Sequence, residues 1–196
     1  MKKFAFLSVM VVMIVTLAGC KKGNVSIKTS GIEANTMLIK SDGAVQVATI
    51  EEFNESYYDL EELKVYINNN LTEFNQSVGN ETAVVLASLD KKNENAIMVL
   101  EYANMEYYAK FNETEAKLLT AVTDSDVEEL PDTLLSAQEE GTILGSELAS
   151  LEDVKVVILK EEINLIVSGK IKYYSNGTLV DKNEIQTSAE GTVVVY

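Results

Sequence analysis

The chain has 196 residues, with 16 basic side chains, all of them lysine, against 31 acidic ones, and it contains no His, Arg or Trp. The formal charge of −15 excludes nucleic-acid recognition by clustered cations. The missing His and Arg remove the commonest general base, the usual zinc nitrogen ligand and the bidentate anion clamp. Hydrophobic residues at 46% are enough for a packed core and exclude wholesale disorder.

Met1-Lys2-Lys3 reads as a short basic leader, and Phe4 to Leu17 is a nearly unbroken apolar stretch. That stretch is short for a bilayer span and suits the hydrophobic region of a signal peptide. It runs into Leu17-Ala18-Gly19-Cys20, which is similar to the lipobox of bacterial lipoproteins. The resemblance implies removal of residues 1–19, a diacylglyceryl group on the Cys20 thiol, and a chain held by lipid on the extracytoplasmic face of the cell membrane. An ordinary secretory signal or an uncleaved anchor is the alternative, with Cys20 incidental. Loss of Lys2 and Lys3 would leave 14 basic against 31 acidic side chains, close to −17. Cys20 is the only cysteine, so lipidation leaves no thiol for a disulfide. Residues 20–31 are expected to form the lipidated start and a flexible tether. Eleven such residues have a root-mean-square span of roughly 18 Å.

Residues 32–196 are expected to form one α+β domain, with a subdivision near 123–150 as the alternative. The pattern predicts mostly antiparallel sheets, one long amphipathic helix, and short helices packed on them. Ser41-Asp42-Gly43 predicts a hairpin turn between Thr36–Ile39 and Val45–Ala48, because Asp-Gly tolerates positive φ. Asp59 can cap a helix, with Glu62 at the capping-box position and Gly79 as a stop. Leu60, Leu63, Ile67, Leu71 and Phe74 recur on one face of it, and Glu61, Lys64, Asn68, Asn69 and Glu73 on the other. Thr82–Leu89 and Ala96–Ala103 are apolar on both parities, which predicts two central strands covered on both faces.

Asn104 can cap a short helix through Phe111, and Ala116–Val122 reads as a strand. Helices are predicted over Glu128–Ala137 and Ser146–Leu151 within an acidic stretch that contains Pro131. Val154–Leu159 reads as a buried strand, and Gly169 as a bend in an alternating run from Ile163 to Tyr173. Asn176-Gly177 predicts a second hairpin before Thr178-Leu179-Val180. Thr192–Tyr196 is too β-prone and apolar for a frayed end, which predicts pairing in a sheet.

Formal motif matches fail on context. Ser88-Leu89-Asp90-Lys91 has the S-x-x-K spacing of penicillin-interacting serine enzymes, but it sits at a strand end and lacks the companion motifs. Ser168-Gly169-Lys170 lacks the upstream Gly of a phosphate loop, and Ile171 stands where a magnesium-binding hydroxyl belongs. Asp124, Asp126 and Glu128, with Glu129, form the densest carboxylate set and the candidate metal ligands. Acidic capping of a helix starting near Ser125 accounts for the same residues. No metal and no cofactor are therefore expected.

The doublets Tyr57-Tyr58, Tyr107-Tyr108 and Tyr173-Tyr174 are the candidate binding residues, since Tyr joins apolar area to a polar tip. Two doublets on one surface would suit a glycan or a peptide. One ring of each pair in the core and one at its rim is the alternative. The order of elements resembles function-unknown lipoproteins of Gram-positive anaerobes. The resemblance rests on Tyr57-Tyr58-Asp59 before an acidic helix and Val167-Ser168-Gly169-Lys170-Ile171 before a hairpin, and it implies no activity. These features point to a lipid-anchored module that binds an envelope protein or glycan without catalysis. An envelope glycan hydrolase with paired carboxylates, or an accessory solute-binding subunit of a transporter, is the alternative.

Overall fold

Asp42 and Gly43 turn the chain as their sequence predicts, in a computed structural model that describes residues 26–196. Gly43 has φ +91°, and the Lys40 N–H donates to the Ala44 carbonyl at 2.9 Å. The turn joins β1 (Thr36–Ile39) to β2 (Val45–Glu52). The expected signal segment, the Leu17–Cys20 motif and the expected tether as far as residue 25 lie outside the described residues. Residues 26–31, expected in the flexible tether, are instead fastened to the sheet: the Ile27 N–H donates to Gln46 Oε1 at 3.0 Å, the Thr29 hydroxyl donates to Asp90 at 3.0 Å, and Thr29–Gly31 forms a 3-10 turn.

Helix α1 (Leu60–Ser77) starts where Asp59 accepts from the backbone N–H groups of Glu61 at 2.7 Å and Glu62 at 3.1 Å. Its first turn would otherwise leave those donors unpaired. Gly79, at φ +68°, releases the chain. Ile67 and Leu71 are buried, with Leu63 and Phe74 packed beside them. Buried Asn75 fastens the helix to the next strand: its Oδ1 accepts the Val84 N–H, and its Nδ2 donates to the carbonyls of Glu81 and Val84. The outward side is not uniformly polar, since Val65 and Tyr66 stand exposed.

β3 (Val84–Lys92) and β4 (Asn95–Tyr102) form a hairpin over Asn93, whose φ is +57°. Asn104 caps α2 (Met105–Asn112) by accepting from the Tyr107 N–H at 2.9 Å. Then follow β5 (Ala116–Leu119), β6 (Thr133–Ser136), β7 (Thr142–Leu144), β8 (Val156–Leu159) and β9 (Asn164–Val167). The chain ends through β10 (Tyr173–Ser175), β11 (Thr178–Asp181), β12 (Glu184–Gln186) and β13 (Thr192–Val195).

Two sheets result, with orders β11-β12-β9-β1-β2-β4-β3 and β5-β8-β13-β10-β6-β7. Among the described residues every pairing is antiparallel except β1 with β9. The architecture is therefore α+β with mostly antiparallel strands, as the sequence predicts. One core joins the facing sides, with Met37, Ile39 and Leu165 from the first sheet and Val157, Leu159 and Val194 from the second. Ile67, Leu71, Met105 and Tyr108 of the helices enter the same core. Each fully buried side chain of this kind contributes about 1.5–3 kcal/mol of transfer free energy. A smaller cluster of Leu134, Leu148, Val156, Val193 and Val195 lies on the second sheet's other face, roofed by Val122, Leu130 and Leu151.

Four further expectations need correction. β3 is an edge strand, and Val85 on its outer face is 38% exposed. Apolar residues of both parities reflect a bulge between Leu86 and Ser88 that shifts the alternation by one. Glu128–Ala137 is not a helix. A short 3-10 turn at Val127–Glu129 gives way before Pro131 to β6, because Leu134 gains a buried place and Leu135 pairs opposite Tyr174. Ser146–Leu151 forms a 3-10 turn at Gly145–Ser150. Asn176-Gly177 carries the chain from one sheet to the other and makes no hairpin, since β10 pairs with β6 and β13 while β11 pairs with β12. Gly177 is required for proximity: a Cβ there would come within 2.8 Å of Ile185 Cδ1.

β13 confirms the pairing expected for Thr192–Tyr196. It lies between β8 and β10 with all four residues buried.

Candidate functional site

Where the shared core runs out at the far ends of β2 and β4, the first turns of α1 leave an open groove of about 740 Å³. Its floor is aliphatic, made by Leu63 and Ile67 of α1, Leu89 of β3 and Met98 of β4. Its mouth is aromatic. Tyr57 is 74% exposed, Tyr66 is 66% exposed and Tyr58 is 42% exposed. Phe53, by contrast, is buried and anchors the group, its ring stacked on Tyr58 at 4.9 Å between centroids. Tyr57 meets Tyr58 edge-on at 5.0 Å. The Phe53 N–H donates to the Glu94 carbonyl at 2.5 Å, which ties the loop to the β3–β4 turn.

The charged residues lining the groove are all carboxylates: Glu51 and Glu52 of β2, Asp59, and Glu62 of α1. Asp59 is spent on the helix cap, while Glu51, Glu52 and Glu62 are exposed. Lys91 reaches in from β3 with its Nζ 5.1 Å from the centre of the Phe53 ring. The Tyr58 phenol is held above its ordinary value, first by charge interaction with Tyr57, then by desolvation and by Glu55 and Glu52.

The other two doublets go elsewhere. Tyr108 is buried in an interior aromatic cluster, edge-on to Tyr102 at 5.2 Å, with its hydroxyl bonded to Glu161. Tyr107 is half-buried on Phe74. Burial, then the hydrogen bond to the Glu161 carboxylate, drives the Tyr108 phenol far up. Burial pushes the Tyr102 phenol to about 12. Strand alternation sends Tyr173 and Tyr174 to opposite faces of β10, toward the smaller cluster and the main core respectively. No two doublets share a surface.

No family model, no curated protein and no solved structure matches the chain.

Among the described residues no three carboxylates converge on a metal position. Asp126 accepts from the Thr123 N–H at 2.8 Å and from its hydroxyl at 2.5 Å, and the hydroxyl bond is the larger cause of its lowered pKa. It closes a loop before a three-residue turn, so the expected helix cap near Ser125 is a loop closure. Asp124 and Glu128 are exposed, and Glu129 pairs with Lys117. Ser88 and Lys91 stand in strand β3, where the helical geometry of the S-x-x-K enzymes is absent. Gly169 admits Tyr196, since a Cβ there would lie 3.2 Å from its ring, which accounts for Ser168-Gly169-Lys170 as a bend.

Sequence reasoning found Tyr57 and Tyr58 but missed Phe53 and Tyr66. Tyr66 lies on the side of α1 away from the apolar repeat. The available signal is its spacing, eight residues after Tyr58 and four after Glu62 on the same helix.

Among the described residues no helix is long and apolar enough to cross a membrane.

Proposed function

We propose that the protein is a lipid-anchored extracytoplasmic module, tied to the cell membrane through Cys20, that acts by binding another envelope component without catalysis. Its contact surface in this reading is the groove under Tyr57, Tyr58 and Tyr66. The observation that carries the reading is the exposure of three tyrosines over an aliphatic floor. Large aromatic groups left in water beside apolar surface are a feature of recognition sites. α1 serves as the amphipathic element of the site. Leu63, Ile67, Leu71 and Phe74 face the sheet, while Glu62 and Tyr66 face the ligand side.

The sequence Leu17-Ala18-Gly19-Cys20 supports the anchor, and the absence of a second cysteine fits a thiol reserved for lipid. Two acyl chains on one residue hold a bilayer far more firmly than one, at about 0.8 kcal/mol per buried methylene. The full chain, expressed in a bacterial host fed radiolabelled palmitate, should carry label and sediment with membranes. Cys20→Ala should lose the label. An unlabelled wild-type chain, or a Cys20→Ala chain that still carries label, would refute the anchor.

A further inference from the structure

We infer that the groove is the seat of a basic, apolar segment of another polypeptide, bound extended with its aliphatic side chains on the floor and its ammonium or guanidinium groups against the rim. The inference rests on the reading of this groove as the binding surface, and it adds the chemistry of the occupant.

Three observations select that chemistry. First, the lining carboxylates Glu51, Glu52 and Glu62 come from two separate elements and outnumber the one lysine that reaches the groove, Lys91, which is already held over Phe53, so the field favours a cation. Secondly, the exposed faces of Tyr57, Tyr58 and Tyr66 are electron-rich surfaces on which a cation gains further attraction. The chain already makes such a contact at the same place, with Lys91 over Phe53. Thirdly, the floor is aliphatic, which disfavours a hydroxyl-rich glycan, since every buried hydroxyl would need a partner that Leu63, Ile67, Leu89 and Met98 lack. The lining contains no Asn, Gln or Trp to hold a sugar.

Spacing favours a peptide over a compact cation. Leu63 and Ile67 are four residues apart on α1, about 6 Å along its axis. An extended chain repeats its same-side residues at about 6.6 Å. Alternate residues of such a chain can therefore meet Leu63 and Ile67 in turn, while the residues between them reach the acidic rim.

Met98 offers a local reporter, because the other described methionines, Met37 and Met105, are buried in the shared core. The experiment uses the full chain in phosphatidylcholine nanodiscs with labelled methionine methyls. It is titrated with the heptapeptide Lys-Leu-Lys-Phe-Lys-Leu-Lys, with its Gln-for-Lys and Glu-for-Lys counterparts, and with an N-acetylglucosamine oligomer. The basic peptide should move the Met98 methyl and leave Met37 and Met105 in place. Its binding should weaken about tenfold in the Glu52→Lys, Glu62→Lys double variant and about fivefold in Tyr57→Ala.

The same charge change made at Glu139 and Glu140, exposed in the β6–β7 turn, should leave affinity within about twofold. Equal weakening by the two charge reversals would overturn the inference by showing attraction to the acidic chain as a whole. Equal binding of the Gln peptide, or Met98 shifted by the sugar oligomer and not by the basic peptide, would overturn the cationic occupant while leaving the groove as the binding surface. A Met98 signal that no probe moves would overturn both readings.

Discussion

Two groups of aromatic rings, alike in composition, are put to opposite uses. Tyr102, Tyr108, Phe74 and Phe111 meet edge-on inside the molecule, and the tyrosine hydroxyls have partners: Asn112 donates to Tyr102 at 3.2 Å, and Tyr108 reaches Glu161. Tyr57, Tyr58 and Tyr66 stand at the groove mouth, where Phe53 beneath them is the one buried ring. The interior rings are held by packing and by their polar tips together. The outer rings have faces in water and little to hold them beyond one another. Aromatic content alone therefore says nothing about role; what surrounds each hydroxyl and each ring face decides it.

The contrast can be broken most directly at Tyr102. Its truncation in Tyr102→Ala empties space that α2 and β4 share, and should cost about 4 kcal/mol in denaturant unfolding. A loss below about 1 kcal/mol would mean that the interior cluster is as loosely held as the groove.

Alkaline titration sharpens the same point. The folded Tyr102 phenol ionises near 12 because burial penalises the phenolate, whereas the unfolded phenol ionises near its ordinary 10. The folded form thus retains its proton in that window while the unfolded form releases it. Stability from this group is full below pH 10 and is lost as pH rises through 12, by about 3 kcal/mol in total. Unfolding midpoints followed against pH should fall less steeply over this window in Tyr102→Phe than in the wild-type chain. Parallel curves would contradict the buried phenol.

The smallest effect is expected at the groove. Tyr57→Ala and Tyr66→Ala should each change stability by no more than about 0.5 kcal/mol, since exposed side chains contribute little to folding. A loss of several kcal/mol on thermal or chemical unfolding would place those rings in the structural group and remove the contrast.

Local chemistry was the readable part of this fold. Asp59 and Asn104 cap the helices they precede, Gly79 ends the first, and Asp42-Gly43 turns the first hairpin, because each acts on backbone groups within a few residues. What depends on distant partners was not readable. Asn176-Gly177 has turn chemistry, but whether its flanking strands pair with each other is decided by β13 and β12, which compete for them. The helix predicted over Glu128–Ala137 gave way to β6 for the same reason, since its partner Tyr173–Ser175 lies some forty residues further along. The groove divides likewise. The sequence offers Tyr57-Tyr58 as an adjacent pair, but Phe53 and Tyr66 join them only because the loop from β2 folds back onto α1.

The one parallel pairing carries a consequence for how the protein comes to be folded. β1 takes β2 as a neighbour across a tight turn, but its other edge waits for β9, with Thr36 opposite Asn164. Strands β1 to β4 precede β9 in the chain, so until β9 docks, an apolar strand with Met37, Leu38 and Ile39 has an open hydrogen-bonding edge. Such an edge invites pairing with neighbouring unfolded chains. Closing so long a loop also slows assembly relative to helix-rich proteins of similar size. The chain is thus most open to edge-to-edge pairing with other copies in the interval before β9 docks on β1.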